Sequence, residues 1–409
     1  MGRRNDENIK AVNSFASLID NYSYCSYISK GRLAPLTNIT FFLGAGFSKA
    51  WDTKYPGGDE LFNIYDSDKT TFSSETHTFA TELGYFPYGK LSPKIVKDLV
   101  YQLNMQLKYP TLRTRYMDER SISILINEVK ALIQRNFTAK VGDCFWDESA
   151  GFQLPKKLSC AQQAILNFFR YIELQEDGSR GIPSGVRMNF ITTNYDFLVE
   201  TILNSTNGSI DETVFLYTYR GITPTHVCGI ENPTIVHNHT LVRNLFKING
   251  GFEIFCNANE YHFDYRKKDY DDIKKNPPCL ILPSREQNYS DYYFSSVFTK
   301  AVRLLHESRI LVIVGYSMPE EDFLLRFLLR HFAEDQRDIM GKIIFYVDMM
   351  NIAKQINKID ECFPHFTRAK LPYLNYSGRF EDFAEKAYEE FKWKEPIEAK
   401  RIRCLCSSQ

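Results

Sequence analysis

What this sequence lacks narrows it first. It has no excess of charge: 50 Lys and Arg stand against 50 Asp and Glu in 409 residues, a formal net charge of zero. Nothing global marks nucleic acid or an anionic membrane as its partner, which leaves only a local patch made by folding or assembly. No stretch approaches the roughly 18 consecutive apolar residues that span a bilayer. The opening "MGRRNDENIKAVNSFASLIDNY" has no apolar core of signal-peptide length. It begins Met-Gly, but Asp6 stands where an N-myristoylation signal has Ser or Thr. A cytoplasmic location is expected. Cysteine supplies no framework either. Nine cysteines fall singly at 25, 144, 160, 228, 256, 279 and 362, with one close pair, Cys404 and Cys406, and no CxxC. An odd count at irregular spacing argues against a disulfide scaffold or a zinc ribbon, so no zinc is expected. The thiols read as small reduced hydrophobes.

What is present is a soluble-type composition, 44% hydrophobic and 24% charged, enough to bury a sizeable core. Four β-like segments recur, each running into a polar or glycine stop: Ile39–Leu43, Met188–Thr192, Ile310–Val314 and Ile343–Val347. "ILVIV" and "IIFYV" are continuous apolar runs, the mark of strands buried on both faces of a parallel sheet. Helical patterns follow, "EEDFLLRFLLRHF" after the third and "NIAKQI" after the fourth. This alternation predicts an α/β, doubly wound Rossmann-type core.

The core is expected to be discontinuous. Residues 1–37 read as an N-terminal helical segment, 38–58 plus 185–400 as the core, and 59–184 as a helical insertion. In the insertion, Ser92-Pro93 opens a helix whose stripe is Ile95, Val96, Leu99, Val100, Leu103 and Leu107. Two more helices are expected near 121–134 and 161–174. A smaller β-rich excursion covers 213–290, and 395–409 is a C-terminal tail.

Four strand ends carry the candidate chemistry. In "FFLGAGFSKAW", Gly44 and Gly46 let main-chain N–H groups face an anion at a helix start, and Ser48 adds a hydroxyl. The usual GxGxxG is absent, and glycines also serve plain turns. In "FITTNYDFLVE", Thr193, Asn194 and Asp196 sit at the carboxyl end of a buried strand, where ligands bind in open α/β sheets. Helix capping by Asn194 or Asp196 is the plain alternative. "LVIVGYSMPEED" places Gly315, Tyr316 and Ser317 at a third end. "IIFYVDMMN" ends on Asp348, a carboxylate able to accept both hydroxyls of a ribose or to cap the next helix. Convergence of the four on one sheet edge points to a nucleotide site, with the glycines making room for its diphosphate.

Taken in order, GAGFS, TTNYD, "FKINGG", GYSMPEED and VD resemble the sirtuin-like domains of bacterial antiphage defence proteins, over about residues 38 to 350. The resemblance implies a Rossmann-type NAD site and NAD+ as substrate. Gly44, Ala45, Gly46, Phe47 and Ser48 would lie around the phosphates and the nicotinamide ribose. Asn194 would hold ribose and water, and Asp196 would face the nicotinamide amide. Thr193, Gly315, Ser317 and Asp348 complete the cofactor-binding set, with Ser317 and Asp348 on the adenosine side.

Two departures shape the implied function. The four-cysteine zinc module of protein-deacylating sirtuins is missing, so NAD+ hydrolysis to nicotinamide and ADP-ribose is expected instead of deacylation. The family usually reads Lys-x-His-Gly where this chain has Lys247-Ile248-Asn249-Gly250. Asn249 cannot act as a general base; it can only orient a water or hydroxyl, and His237 and His239 lie nearby in sequence. Slow or assembly-dependent hydrolysis is therefore expected, with Asn194, Asn249 and Asp196 as the catalytic set. The alternatives are an NAD- or ADP-ribose-binding subunit with little turnover, or a nuclease component. No nuclease motif is evident, and Asp52, Asp59 and Glu60 read as a solvated loop. The resemblance further implies a homo-oligomer joined to a HerA-like hexameric ATPase, with nucleic acid reached only through that complex and no membrane. Residues 7–22 and the tail "EPIEAKRIRCLCSSQ" are candidate contact surfaces.

Overall fold

The structure, a computed structural model, describes residues 2–25, 37–65, 78, 81, 90–112, 118–141, 146–147, 151–174, 186–206, 218–228, 243–257, 260–266, 268–284, 287, 289, 291–334 and 341–392. Its centre is a seven-stranded sheet. The strands are β1 (Thr37–Leu43), β2 (Val186–Thr192), β3 (Thr218–Tyr219), β4 (Arg243–Lys247), β5 (Ser308–Val314), β6 (Ile343–Asp348) and β7 (Tyr373–Ser377). All pairings are parallel, in the order β7-β6-β5-β1-β2-β4-β3. The fold is a Rossmann-type α/β sheet. Its central strands β1 and β5 are buried almost throughout, as the continuous run Ile310–Val314 and the apolar Phe41–Leu43 require.

The register puts Phe41, Phe190 and Leu245 on one face, and Phe42, Ile191 and Phe246 on the other. Helices α1 (Gly2–Cys25), α5 (Cys160–Leu174) and α12 (Phe380–Lys392) cover the first face. Phe15 of α1 sits among Phe168, Phe345, Phe383 and Phe391, with ring centroids 5.2–6.4 Å apart. Helix α8 (Tyr292–Glu307) covers the second, where Val297 and Phe246 both close on Gly221.

Chain order fixes the functional edge. From β1 the chain moves to β2, β3 and β4 on one side, then returns through α8 to β5 on the other side of β1. Neighbouring β1 and β5 therefore feed loops that diverge, and the crevice at their carboxyl ends is the topological switch point.

Three sequence expectations change. The helix at 160–174, assigned to the insertion, is a layer of the core, because Phe168 and Phe169 pack on Phe41. Within the β-rich excursion, β3 and β4 join the central sheet; only His226–Cys228, Ile254–Asn257 and Glu260–Asp264 form a separate three-stranded sheet. The apolar stripe of residues 7–22 is not a free contact surface: Ala11, Val12, Phe15, Ala16 and Ile19 are buried in the core. The insertion keeps helices α3 (Pro93–Lys108) and α4 (Glu119–Val141), which pack on each other. Ser92 caps α3 by accepting from the Ile95 N–H, with Pro93 at the first helical position. Residues 393–409 lie outside the described residues, as do His237 and His239. No helix among the described residues is long and apolar enough to cross a membrane.

Candidate active site

The four strand ends meet. A cavity of about 710 Å³ lies at the switch point, lined by Ala45, Gly46, Ser48, Thr193, Asn194, Asp196, Asn249, Gly315, Ser317 and Asp348 among others. Its size falls within the roughly 300–1,000 Å³ of small-molecule sites. Ten of the twelve residues singled out from the sequence share this one surface. Gly44 sits just behind it, its carbonyl accepting from Asn194 Nδ2 at 3.0 Å. Phe47 does not face it. Its ring is buried against Phe169 and Phe380, so it serves the core instead of a ligand.

The glycines have a different reason from the one expected. A Cβ on Gly44 would fall 2.5 Å from the Gly315 carbonyl oxygen, and one on Gly46 would fall 2.7 Å from Gly315 Cα. Gly315, at φ +58°, would in turn press on the Gly46 and Phe47 backbone at 2.5 Å. The bare main chain lets the turn after β1 nest against the turn after β5. Two amides are spent on the same contact, Gly44 N–H donating to Val314 O and Gly46 N–H to Gly315 O, and Phe47 N–H closes the turn on Gly44 O, each at 2.9 Å. The Gly44, Gly46 and Phe47 N–H groups, expected to face a diphosphate, bond to main-chain carbonyls here, while Ala45, Gly46 and Ser48 line the cavity. The glycines bring two strand ends together, and that nesting shapes the cavity wall.

One polar relay joins the β1 and β2 ends. Asn194 Nδ2 donates to Ser48 Oγ (2.9 Å), and Ser48 Oγ donates to Asp196 Oδ2 (2.8 Å). Asp196 Oδ1 accepts from the Leu198 N–H at 3.1 Å, capping helix α6 (Leu198–Thr206). Capping and cavity lining, posed as alternatives by the sequence, are done by one carboxylate. Asn194 has committed its NH₂ to Gly44 and Ser48. Its carbonyl oxygen is the group it can offer, an acceptor suited to a sugar hydroxyl or a water. Burial raises the Asp196 pKa above the usual carboxylate range, against the hydrogen bond from Ser48 and the charge of Lys247.

Behind Asp196 lies a buried charge quartet that sequence reasoning missed. Lys247 Nζ donates to the Asp196 carbonyl at 2.7 Å and lies 2.8 Å from Glu200 and 2.9 Å from Glu253. Arg220 bridges the same two carboxylates at 3.0 and 2.6 Å. Two cations and two anions balance, which is what lets four charges stay buried. The only sequence signal was Lys247 itself, two residues before Asn249 in "FKINGG".

Asn249 is pinned at both ends. Tyr289 OH donates to its Oδ1 at 2.8 Å, and its Nδ2 donates to Thr193 O at 3.4 Å. Asp348 does not cap the following helix α10 (Ile352–Cys362); Asn351 does, accepting from the Lys354 N–H. Among the described residues, Asp348 Oδ1 accepts from the Met350 N–H (2.9 Å), and burial raises its pKa. Asp322 is a further buried carboxyl on the cavity wall. Burial raises its pKa too, while Tyr316 OH donates to it at 2.9 Å. The insertion contributes Lys94 and Lys97, the cations on the lining, and Lys97 pairs with Asp59 at 3.0 Å. Asp59 is therefore a wall residue and not merely a solvated loop.

The class this edge defines is a candidate ligand site at the switch point of a Rossmann-type sheet. Residues 188–355 match the SIR2-like domain, a span that runs from β2 into α10 and leaves the β1 turn outside. No curated protein matches the chain. Among solved structures, the chain is similar to a Sir2 homologue in complex with NAD, at 11% identity and TM-score 0.41, covering 92% of this chain and 93% of that one. It is similar to a Sir2 homologue bound to 2′-O-acetyl ADP-ribose, at 11% identity and TM-score 0.40, with 92% and 96% covered. A third is a Sir2 enzyme at 12% identity and TM-score 0.39, with 94% and 98% covered. At such values the backbones superpose loosely, and the site stands on its own residues.

Proposed function

We propose that this chain is an NAD+ glycohydrolase, releasing nicotinamide and ADP-ribose from the cavity at the β1–β5 switch point. The observation that carries the reading is the Asn194–Ser48–Asp196 relay on the wall of that cavity, with Asn194 and Asp196 inside the SIR2-like stretch and Ser48 brought to them from the β1 turn. In the reaction the C–N bond between nicotinamide and ribose breaks. Its electron pair leaves with nicotinamide, and the sugar carbon becomes oxocarbenium-like before water adds and gives up a proton. A cavity with Asp59, Asp98, Asp196, Glu321, Asp322 and Asp348 on its wall suits a developing cation. Lys94 and Lys97 are the cations available to a diphosphate. Asn194, through its free carbonyl oxygen, holds the ribose hydroxyl or the attacking water.

A second reading is favoured by Asn249. An amide pinned by Tyr289 and Thr193 neither titrates nor swings, and in this reading the site binds NAD+ or ADP-ribose with little turnover as a subunit of an assembly. The larger setting belongs to the proposal as well: a cytoplasmic homo-oligomer working with a HerA-like ATPase in antiphage defence, supported by the motif resemblance alone. Its check is sizing of the chain with and without a co-expressed ATPase.

The deciding experiment measures nicotinamide release by the parent, Asn194→Ala and Asn249→His, alone and with that ATPase. Hydrolysis requires that Asn194→Ala lose at least about 100-fold, the scale of a positioned group. Equal rates in parent and Asn194→Ala would sink it. Tight NAD+ binding by calorimetry with no release under any condition selects the binding subunit.

A further inference from the structure

Away from the cavity, the ends of two helices bring three metal-ligating side chains together. His306 lies in the last turn of α8. His331 closes helix α9 (Phe323–Arg330), and Glu334 follows the 3-10 turn His331–Ala333. One ligand atom from each lies within 4.8 Å of the other two. Glu334 Oε2 is 4.0 Å from His306 Nε2 and in direct contact with His331 Nδ1, and the two rings are 5.4 Å apart. None of the three lines the cavity.

We propose that His306, His331 and Glu334 form a divalent-cation site of zinc type. Two imidazoles and one carboxylate are a donor set that zinc takes, with the fourth position open to water. Tetrahedral bonds of about 2.0–2.1 Å put ligand atoms roughly 3.3 Å apart. A small rotation of the half-exposed His306 about its own side chain brings its nitrogen in from 4.0 Å. The electrostatic setting is favourable. The C-termini of α8 and α9 both end here, so the negative ends of two helix dipoles face the same point.

The scaffold is also held in advance. Buried Lys342 donates to His306 O and Phe332 O, each at 2.8 Å, tying the two ligand-bearing segments together from beneath. Its ammonium donates to main-chain carbonyls of both segments. The cysteines argued against zinc. This set uses none of them, which is why cysteine spacing gave no hint of it. The site's effect is to staple the end of α8 to the turn after α9.

The test uses the full chain stripped by chelator, titrated with Zn²⁺ by calorimetry and with Co²⁺ by visible absorption, beside His306→Ala and Glu334→Gln. One ion per chain is expected, with Co²⁺ d–d bands but no thiolate charge-transfer band. Each variant should weaken binding at least tenfold while keeping the metal-free thermal midpoint, because both side chains are about half exposed. Zinc should raise the midpoint of the parent and not of the variants. No binding, undiminished binding in both variants, or a thiolate band would each overturn the site. An unchanged parent midpoint on adding zinc would count the same way.

Discussion

The side-chain amide of Asn194 donates to the hydroxyl of Ser48 across 2.9 Å, joining residues 146 positions apart. Ser48 passes the interaction on to Asp196, so one hydroxyl holds both the amide and the carboxylate of the β2 loop. Removing it disturbs both. Ser48→Ala leaves a buried carboxylate short of a donor and should cost about 1.5–3 kcal/mol, read from urea denaturation. It also removes a contact that holds the Asp196 pKa down. Any activity that needs ionised Asp196 should therefore lose its acid limb at higher pH than in the parent. An unmoved pH profile would show that Asp196 acts only as a cap.

Gly315 should tolerate no side chain. Its positive φ and the 2.5 Å approach of the Gly46 backbone combine strain with overlap, so Gly315→Ala should cost about 1–3 kcal/mol or more. Gly58, also on the cavity rim, has nothing within 4 Å of a new Cβ. Gly58→Ala should leave the denaturation midpoint within about 0.5 kcal/mol of the parent.

The buried quartet predicts a non-additive pair. Lys247→Met leaves Glu200 and Glu253 sharing Arg220 alone, and unbalanced buried charge costs about 3–5 kcal/mol. Adding Glu200→Gln restores the balance and should recover part of that loss. A double variant as unstable as the sum of the singles would mean the charges act independently.

Asp348 gives a pH test with a defined sign. Burial raises its folded-state pKa, so the folded chain holds that proton more tightly than the unfolded chain. The stability tied to it is fully present below the unfolded pKa and is lost as pH rises through the folded one. Asp348→Asn removes the penalty. The variant should be more stable than the parent at neutral pH, and its advantage should shrink as pH falls toward about 4, measured by urea midpoints.

Strands β5 and β6 could be read locally because burial on both faces demands unbroken apolar runs, and a run announces itself. Strands β1 and β2 were legible from a mostly apolar segment that ends on a glycine or polar stop. β4, "RNLFK", and β7, "YLNYS", carry polar residues whose burial depends on neighbours far away in the chain. Asn244, for example, is satisfied by Asn189 at 2.7 Å. No local pattern can report such a partner. The strand ends themselves were legible, since Gly44, Asn194, Ser317 and Asp348 each interrupt a hydrophobic run. Their convergence followed from parallel topology, and the cavity at the switch point agrees with it.

By itself, then, the sequence determined the class of the sheet and which residues would stand at its carboxyl edge, because period and punctuation are local properties. Tertiary structure alone decided that the glycines serve Gly315 and that Phe47 turns into the core. It also set Lys247 beneath Asp196 and gathered two histidines and a glutamate beyond the cavity. Those outcomes depend on distances between segments remote in the chain, which only the packed fold sets.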